Sequence, residues 1–173
     1  LKYQTYVSEE LVKLIDSKYR TVPSREGRAV TGLSMGGHGG LWLGINRSDV
    51  FGACGSMSGG VDIRPFPHSW HMSHSLGEYA DNGDIWDSHT VMNIIHKIKA
   101  RPLQIIIDCG TSDFFYRVNE KLHEKLLYNN IPHDYITRPG AHDANYWNNA
   151  IDYQSLFFSK FFSQAAKAKR DRQ

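Results

Sequence analysis

The stretch Arg28-Ala29-Val30-Thr31-Gly32-Leu33-Ser34-Met35-Gly36-Gly37-His38-Gly39-Gly40 decides how the rest of the chain is read. Its first four residues form a short run ending at Gly32, consistent with a buried strand. From Met35 to about Asn46 the chain suits a helix packed tightly by Gly36, Gly37, Gly39 and Gly40. Between them lies Gly32-Leu33-Ser34-Met35-Gly36, a G-x-S-x-G spacing in a strand-turn-helix setting. The reason for the spacing is steric. A strand that turns abruptly into a helix strains the backbone of its corner residue, so the residues two before and two after must be small. The corner hydroxyl is raised clear of the sheet at a helix N-terminus, where the positive end of the helix dipole favours developing negative charge. Ser34 is the candidate nucleophile, and the backbone N–H of Met35 the candidate oxyanion donor.

Outward from this corner, strand and helix patterns alternate. Upstream, Val7, Leu11, Leu14 and Ile15 share one face of a helix within the first twenty residues. Downstream, residues 51–57 form a second strand candidate, residues 91–99 look helical, and residues 103–109 (Leu-Gln-Ile-Ile-Ile-Asp-Cys) are apolar enough for a strand buried on both faces. Val118, Leu122 and Leu126 mark another amphipathic helix. Residues 133–138 are strand-like and stop at Pro139-Gly140, and residues 145–162 form a final helix rich in Trp147, Ile151, Leu156, Phe158 and Phe161. This alternation predicts an α/β fold, a parallel sheet with helices on both faces. One domain over residues 1–163, followed by a basic tail over 164–173, is expected. Residues 58–88 are loop-rich, carry Pro65 and Pro67, and are long for a simple connection; such insertions tend to carry function.

Composition narrows the function classes. The chain has 173 residues, 40% hydrophobic and 22% charged, a globular balance. Its net charge of +2 comes from the tail, where Lys167, Lys169, Arg170 and Arg172 face only Asp171. The remainder is close to neutral and carries no basic excess for nucleic acid. The tail reads as a solvated helix end. No stretch approaches the length of a membrane-spanning helix, so no membrane partner is expected. The chain opens at Leu1 without a basic-then-apolar leader, so any targeting segment is expected to be absent or removed. Cys54 and Cys109 match no redox or zinc spacing and read as small buried hydrophobes.

A serine nucleophile needs a base and an acid, in this architecture in the chain order Ser, acid, His. Of nine histidines, His38 lies inside the elbow helix, beside or pointing away from the hydroxyl. His96 and His123 sit on helix patterns as surface residues, and His133 precedes the last strand. His142 alone follows that strand, in Pro139-Gly140-Ala141-His142-Asp143, at the end where open α/β sheets place their ligands. It is the candidate base. For the acid, Asp113 in Gly110-Thr111-Ser112-Asp113 lies beyond its strand and is free to reach an imidazole. Asp108 lies within the strand and faces a covering layer, and Asp143 suits an N-cap. His68, His71 and His74 are spaced by three but lack a matching carboxylate, so no metal site is assigned. Trp70 and Trp86 are expected to wall a substrate pocket, beside Tyr79, and suit sugar rings or an aromatic acyl group.

The segments Gly-Leu-Ser-Met-Gly-Gly-His, Asp-Cys-Gly-Thr-Ser-Asp-Phe-Phe and Pro-Gly-Ala-His-Asp followed by Tyr146-Trp147 resemble the esterase D / feruloyl esterase branch of the α/β-hydrolases. That branch includes tributyrin esterases, S-formylglutathione hydrolases and mycolyltransferase antigens. The resemblance runs from about Tyr3 to Phe162 and implies Ser34 as nucleophile, Asp113 as acid and His142 as base. It implies a serine carboxylesterase without a cofactor, often secreted or periplasmic, acting on small-molecule or carbohydrate esters such as feruloyl or acetyl esters of plant polysaccharides. An acyltransferase of the mycolyltransferase type and a non-catalytic binding scaffold are the alternatives. One departure stands out: here the elbow follows the first recognisable strand, whereas the family has further strands before it. The chain therefore resembles the C-terminal portion of an esterase domain, and a missing N-terminal segment or a partner chain is expected to complete the sheet.

Overall fold

Three consecutive isoleucines set the centre of the sheet. Ile105, Ile106 and Ile107 lie in the strand Gln104–Gly110 (β3), where β-branched side chains favour extended backbone, and all three are buried. In the computed structural model, which describes residues 2–100 and 102–170, β3 pairs in parallel with Ala53–Met57 (β2) on one side and Asp134–Arg138 (β4) on the other. Ala29–Val30 (β1) pairs in parallel with β2, so among the described residues the sheet has four strands in the order β1-β2-β3-β4. Asp171 and Arg172 of the basic run lie outside the described residues.

A sheet whose strands follow in chain order, joined by crossovers of one hand, gathers its crossover helices on one face. That face holds Cys54, Ile105 and Ile107, which pack with Leu41 and Ile45 of the helix Met35–Asn46 (α3) and with Val118, Leu122 and Leu126 of the helix Tyr116–Tyr128 (α7). Alternation turns Met57 and Asp108 to the other face, covered by the last helix, Ala144–Arg170 (α8). Both faces are thus covered, as the sequence predicts. The last helix runs beyond residue 163, so residues 164–170 are its final turns.

Close approach of α3 to the sheet depends on glycine. A Cβ at Gly40 would stand 2.5 Å from the Gly55 carbonyl oxygen, whereas one at Gly39 would meet nothing within 4 Å. Two local expectations need correction. Residues 91–99 are not one α-helix but a short α-helix, Val91–Ile94, followed by 3-10 turns over Ile95–Ala100. The opening helix passes through a π-helical stretch, Tyr6–Glu10, before Leu11–Lys18. Its apolar face is only partly covered, with Leu14 47% and Ile15 37% exposed. Polar contacts anchor it: the Arg47 guanidinium donates to Ser8 Oγ at 2.6 Å and to Glu9 Oε1 at 2.8 Å, and the Arg28 guanidinium pairs with Asp16.

The glycine contrast is measurable. Gly40→Ala should destabilise the full chain by about 1–3 kcal/mol, the usual effect of overpacking. Gly39→Ala should stabilise it by up to about 1 kcal/mol through helix propensity. Paired thermal melts check both signs, and a neutral Gly40→Ala would show that α3 can lift off the sheet.

Candidate active site

The turn from β1 into α3 holds Ser34 at φ 54° and ψ −116°, a left-handed conformation that side chains rarely adopt. It is pinned from both sides. The Ser34 N–H donates to the Met57 carbonyl at 2.8 Å, and the Met57 N–H donates to the Gly32 carbonyl at 3.0 Å. The steric reason holds for one of the two glycines: a Cβ on Gly32 would lie 2.7 Å from the backbone of Gly36, whereas a Cβ on Gly36 would meet nothing within 4 Å, so the expectation that the residue two after Ser34 must be small is corrected. Met35 is the first residue of α3, where a backbone N–H has no intrahelical acceptor, and its side chain is 84% exposed at the mouth of the site.

The candidate base and acid come from neighbouring loops that are laced together. The Thr111 N–H donates to the Arg138 carbonyl and the Ser112 N–H to the Gly140 carbonyl, both at 2.9 Å, so pairing of β3 with β4 continues into the two loops. The approach is so close that a Cβ on Gly110 would stand 2.3 Å from Gly140 O. This lacing sets Asp113 against His142. His142 Nδ1–H donates to Asp113 Oδ2 at 2.8 Å, and His142 Nε2 stands 2.8 Å from Ser34 Oγ. The second oxygen of Asp113 accepts the Phe115 N–H at 2.8 Å, and the carboxylate is fully buried. With Asp113 fixing the donor on Nδ1, Nε2 keeps its lone pair toward the serine hydroxyl, the tautomer a general base requires.

Three rings box the imidazole, a feature not weighed in reading the sequence. Phe114 lies 4.3 Å from the His142 centroid, and Trp147 and Phe115 meet it edge-on at 4.9 and 5.6 Å. The signal was the aromatic pair directly after Asp113 and the tryptophan five residues after His142. Ser34 opens onto a cavity of about 320 Å³. Its lining is mostly apolar: Met35, Gly60, Ile63, Trp70, Met72, Leu76 and Phe115, with His38 and His89 as the polar exceptions.

The other candidates fall as follows. Trp70 borders this cavity, is 56% exposed, stacks on Phe114 and meets Phe115 at a tilt. Trp86 does not border it. That indole is fully buried against Tyr79 and donates to the Gly77 carbonyl at 2.9 Å, so it anchors the 58–88 segment from inside. Asp108 faces α8, where Tyr146 OH donates to it at 2.5 Å and Arg138 Nη2 at 2.8 Å. Asp143 caps α8 by accepting the Tyr146 N–H at 3.0 Å. His123 is not a plain surface residue; its Nδ1 pairs with His133 Nε2 at 2.8 Å and its ring stacks on Tyr135. Cys54 and Cys109 are free and buried, and burial pushes both thiols up, away from reactivity. Among the described residues no group of three or more His, Cys, Asp or Glu side chains gathers to hold a metal ion.

Comparison with known proteins places this geometry in a family context. A family model described as putative esterase matches residues 1–158. Esterase Rv1288 of Mycobacterium tuberculosis is 29% identical over 163 residues, covering 81% of this chain and 36% of that protein. The acetyl esterase of Caldicellulosiruptor saccharolyticus is 25% identical over 166 residues, covering 87% of this chain and 62% of its own length. A solved structure described as a ferulic acid esterase superposes with a TM-score of 0.76 at 32% identity, over 93% of this chain and 62% of that one. The shared architecture is the α/β-hydrolase fold. The chain spans about a third of the Mycobacterium protein and three fifths of the other two.

The two aspartates separate experimentally. Asp113→Asn should lower activity per folded molecule by about 10⁴-fold, because an amide no longer selects the tautomer. Asp108→Asn should act on stability instead, lowering it by about 2–3 kcal/mol by weakening the hold on Arg138 and Tyr146. Rates normalised to folded protein decide; equal rate losses would make Asp108 part of the catalytic group.

Proposed function

This chain belongs to the putative esterase family, and from that premise we propose that it is a serine carboxylesterase working through an acyl-enzyme. The observation that carries the reading is the unbroken relay from Ser34 through His142 to Asp113, two contacts of 2.8 Å each, beside an apolar cavity. Ser34 Oγ attacks the ester carbonyl carbon as His142 Nε2 takes its proton. The carbonyl oxygen gains negative charge and meets the Met35 N–H at the helix N-terminus. The bond from carbon to the alcohol oxygen then breaks, and His142 returns its proton to that oxygen. Water repeats the sequence on the acyl-serine, giving up its proton to His142, and the acid leaves as Ser34 regains its hydrogen. Throughout, Asp113 orients the ring and stabilises the imidazolium; no cofactor takes part.

For the substrate we favour an aromatic acyl ester, such as a feruloyl ester of a plant polysaccharide, over an acetyl ester. A cavity of about 320 Å³ walled by Ile63, Trp70, Met72, Leu76 and Phe115 is far larger than an acetyl group fills. The likeness to a ferulic acid esterase supports the same choice.

We further propose that β1 takes another strand along its free edge, supplied by an N-terminal segment or a partner chain. Both residues of β1 pair with β2 alone among the described residues, and both are incompletely buried. Residues 1–173 expressed alone should then associate and hydrolyse esters about 10²- to 10³-fold more slowly than a version with its sheet complete, because the family resemblance implies a second oxyanion donor, beside the Met35 N–H, on a loop among the strands before the elbow. A fully active monomer of this span would overturn that.

The main reading is tested by Ser34→Ala in the full-length protein. Turnover of p-nitrophenyl acetate, methyl ferulate, acetylated xylan and S-formylglutathione is followed for both forms. The wild type should favour methyl ferulate, and the variant should lose roughly 10⁴- to 10⁶-fold in rate while melting as before. Undiminished turnover by Ser34→Ala would remove the nucleophile.

A further inference from the structure

Two imidazoles outside the relay, His38 and His89, are the polar exceptions in the cavity wall. Their protonation is dictated by neighbours that can only accept. His38 Nε2 lies 2.7 Å from the backbone carbonyl oxygen of His89, so the ring proton sits on Nε2. His89 Nδ1 lies 2.8 Å from the Ile85 carbonyl oxygen. It also lies 3.2 Å from Ser88 Oγ, whose own proton goes to that same carbonyl at 2.7 Å. The His89 proton therefore sits on Nδ1. Burial holds the His38 imidazole below its usual value, which keeps it neutral near neutral pH. Stacking on Trp42, with centroids 5.7 Å apart and planes 7° from parallel, fixes the His89 ring. Each ring is left with one bare nitrogen, Nδ1 of His38 and Nε2 of His89, and among the described residues nothing donates to either.

We infer that His38 and His89 form a hydrogen-bond-accepting wall that selects acyl groups carrying a hydroxyl donor on an aromatic ring. Apart from Ser34 the rest of the lining is apolar, with the rings of Phe115 and Trp70 among its walls. A hydroxyl entering this space satisfies a lone pair that a methyl ether or a bare ring would strip of water without replacement. Sites built to bond a substrate hydroxyl discriminate strongly against analogues lacking it, for that reason. A carboxylate or nitro group brings only acceptors and is disfavoured for the same cause. This inference rests on the esterase reading above and adds the residues that read the ring substituent.

The test compares methyl 4-hydroxycinnamate with methyl 4-methoxycinnamate, whose substituents have similar electronic effects on the ester, using the full-length protein and kcat/KM. The hydroxy ester should be favoured by about 10-fold or more, within the range that loss of one such hydrogen bond produces. His89→Phe keeps a ring on Trp42 but has no lone pair, and His38→Gln can still donate to the His89 carbonyl while presenting an oxygen acceptor. The preference should shrink in His89→Phe, fall toward unity in the double variant His38→Leu/His89→Phe, which lacks both lone pairs, and persist in His38→Gln. Equal kcat/KM for the two esters in the wild type, or an unchanged preference in the double variant, overturns the inference while leaving the esterase reading intact. Failure to hydrolyse either ester or p-nitrophenyl acetate overturns the esterase reading and the inference together.

Discussion

The strained backbone at Ser34 is the constraint on which the rest depends. A non-glycine residue at φ 54° and ψ −116° costs of the order of 1–3 kcal/mol and persists only where its surroundings over-determine it. Here they do so through the β1–β2 pairing, continued past the end of β1 by the Leu33–Met57 bridge and the Ser34–Met57 hydrogen bond. The opening turn of α3 adds the Gly36 N–H to Leu33 O at 2.7 Å and the His38 N–H to Ser34 O at 3.1 Å. Once the corner is held, the direction of α3 follows, and with it the requirement that glycine face the sheet. The strain has a chemical return: the hydroxyl stands at a helix N-terminus and off the sheet, where a substrate carbonyl can reach it.

Parallel pairing does the assembling. Because every strand points the same way, the loops after β1, β2, β3 and β4 emerge at one edge, carrying Ser34, Gly60, Asp113 and His142 respectively. Residues 108 positions apart in the chain, Ser34 and His142, thereby come within hydrogen-bond distance. Lacing between the third and fourth loops removes the freedom that would let the imidazole swing away, and the surrounding rings exclude water from its flanks.

What was legible in the sequence follows from how local its causes are. The elbow could be read because the steric demand on Gly32, set by the backbone of Gly36, acts within five residues, and β3 because three β-branched side chains act on their own backbone. His142 and Asp113 could be placed because loops after parallel strands share one edge. Trp86 could not. Its role depends on where the 58–88 segment closes back on itself, and an aromatic residue among prolines and histidines looks the same whether it walls a pocket or plugs a core. The pairing of His123 with His133 was hidden for the same reason, since α7 and the start of β4 meet only in three dimensions. Nor could the spacing of Leu14 and Ile15 say how completely a partner surface would cover them.

The two aspartates of β3 and its loop show how the fold divides chemical labour between residues of the same type. Asp108 and Ile106 share the face turned to α8, so that carboxylate meets Tyr146 and Arg138 and spends its oxygens on holding the last helix against the sheet. Burial and that hydrogen bond push the Tyr146 phenol up, which keeps it a donor to Asp108. A carboxylate so committed has no lone pair directed at the imidazole. Asp113 escapes alternation because the strand has ended, and the turn after Gly110 is free to send it toward His142, with the Phe115 N–H on its other oxygen. The acid therefore has to lie past the end of its strand. Tyr146 in turn packs so closely on Gly140 that a Cβ there would sit 2.3 Å from its ring, so the structural aspartate also steadies the loop on which His142 rides.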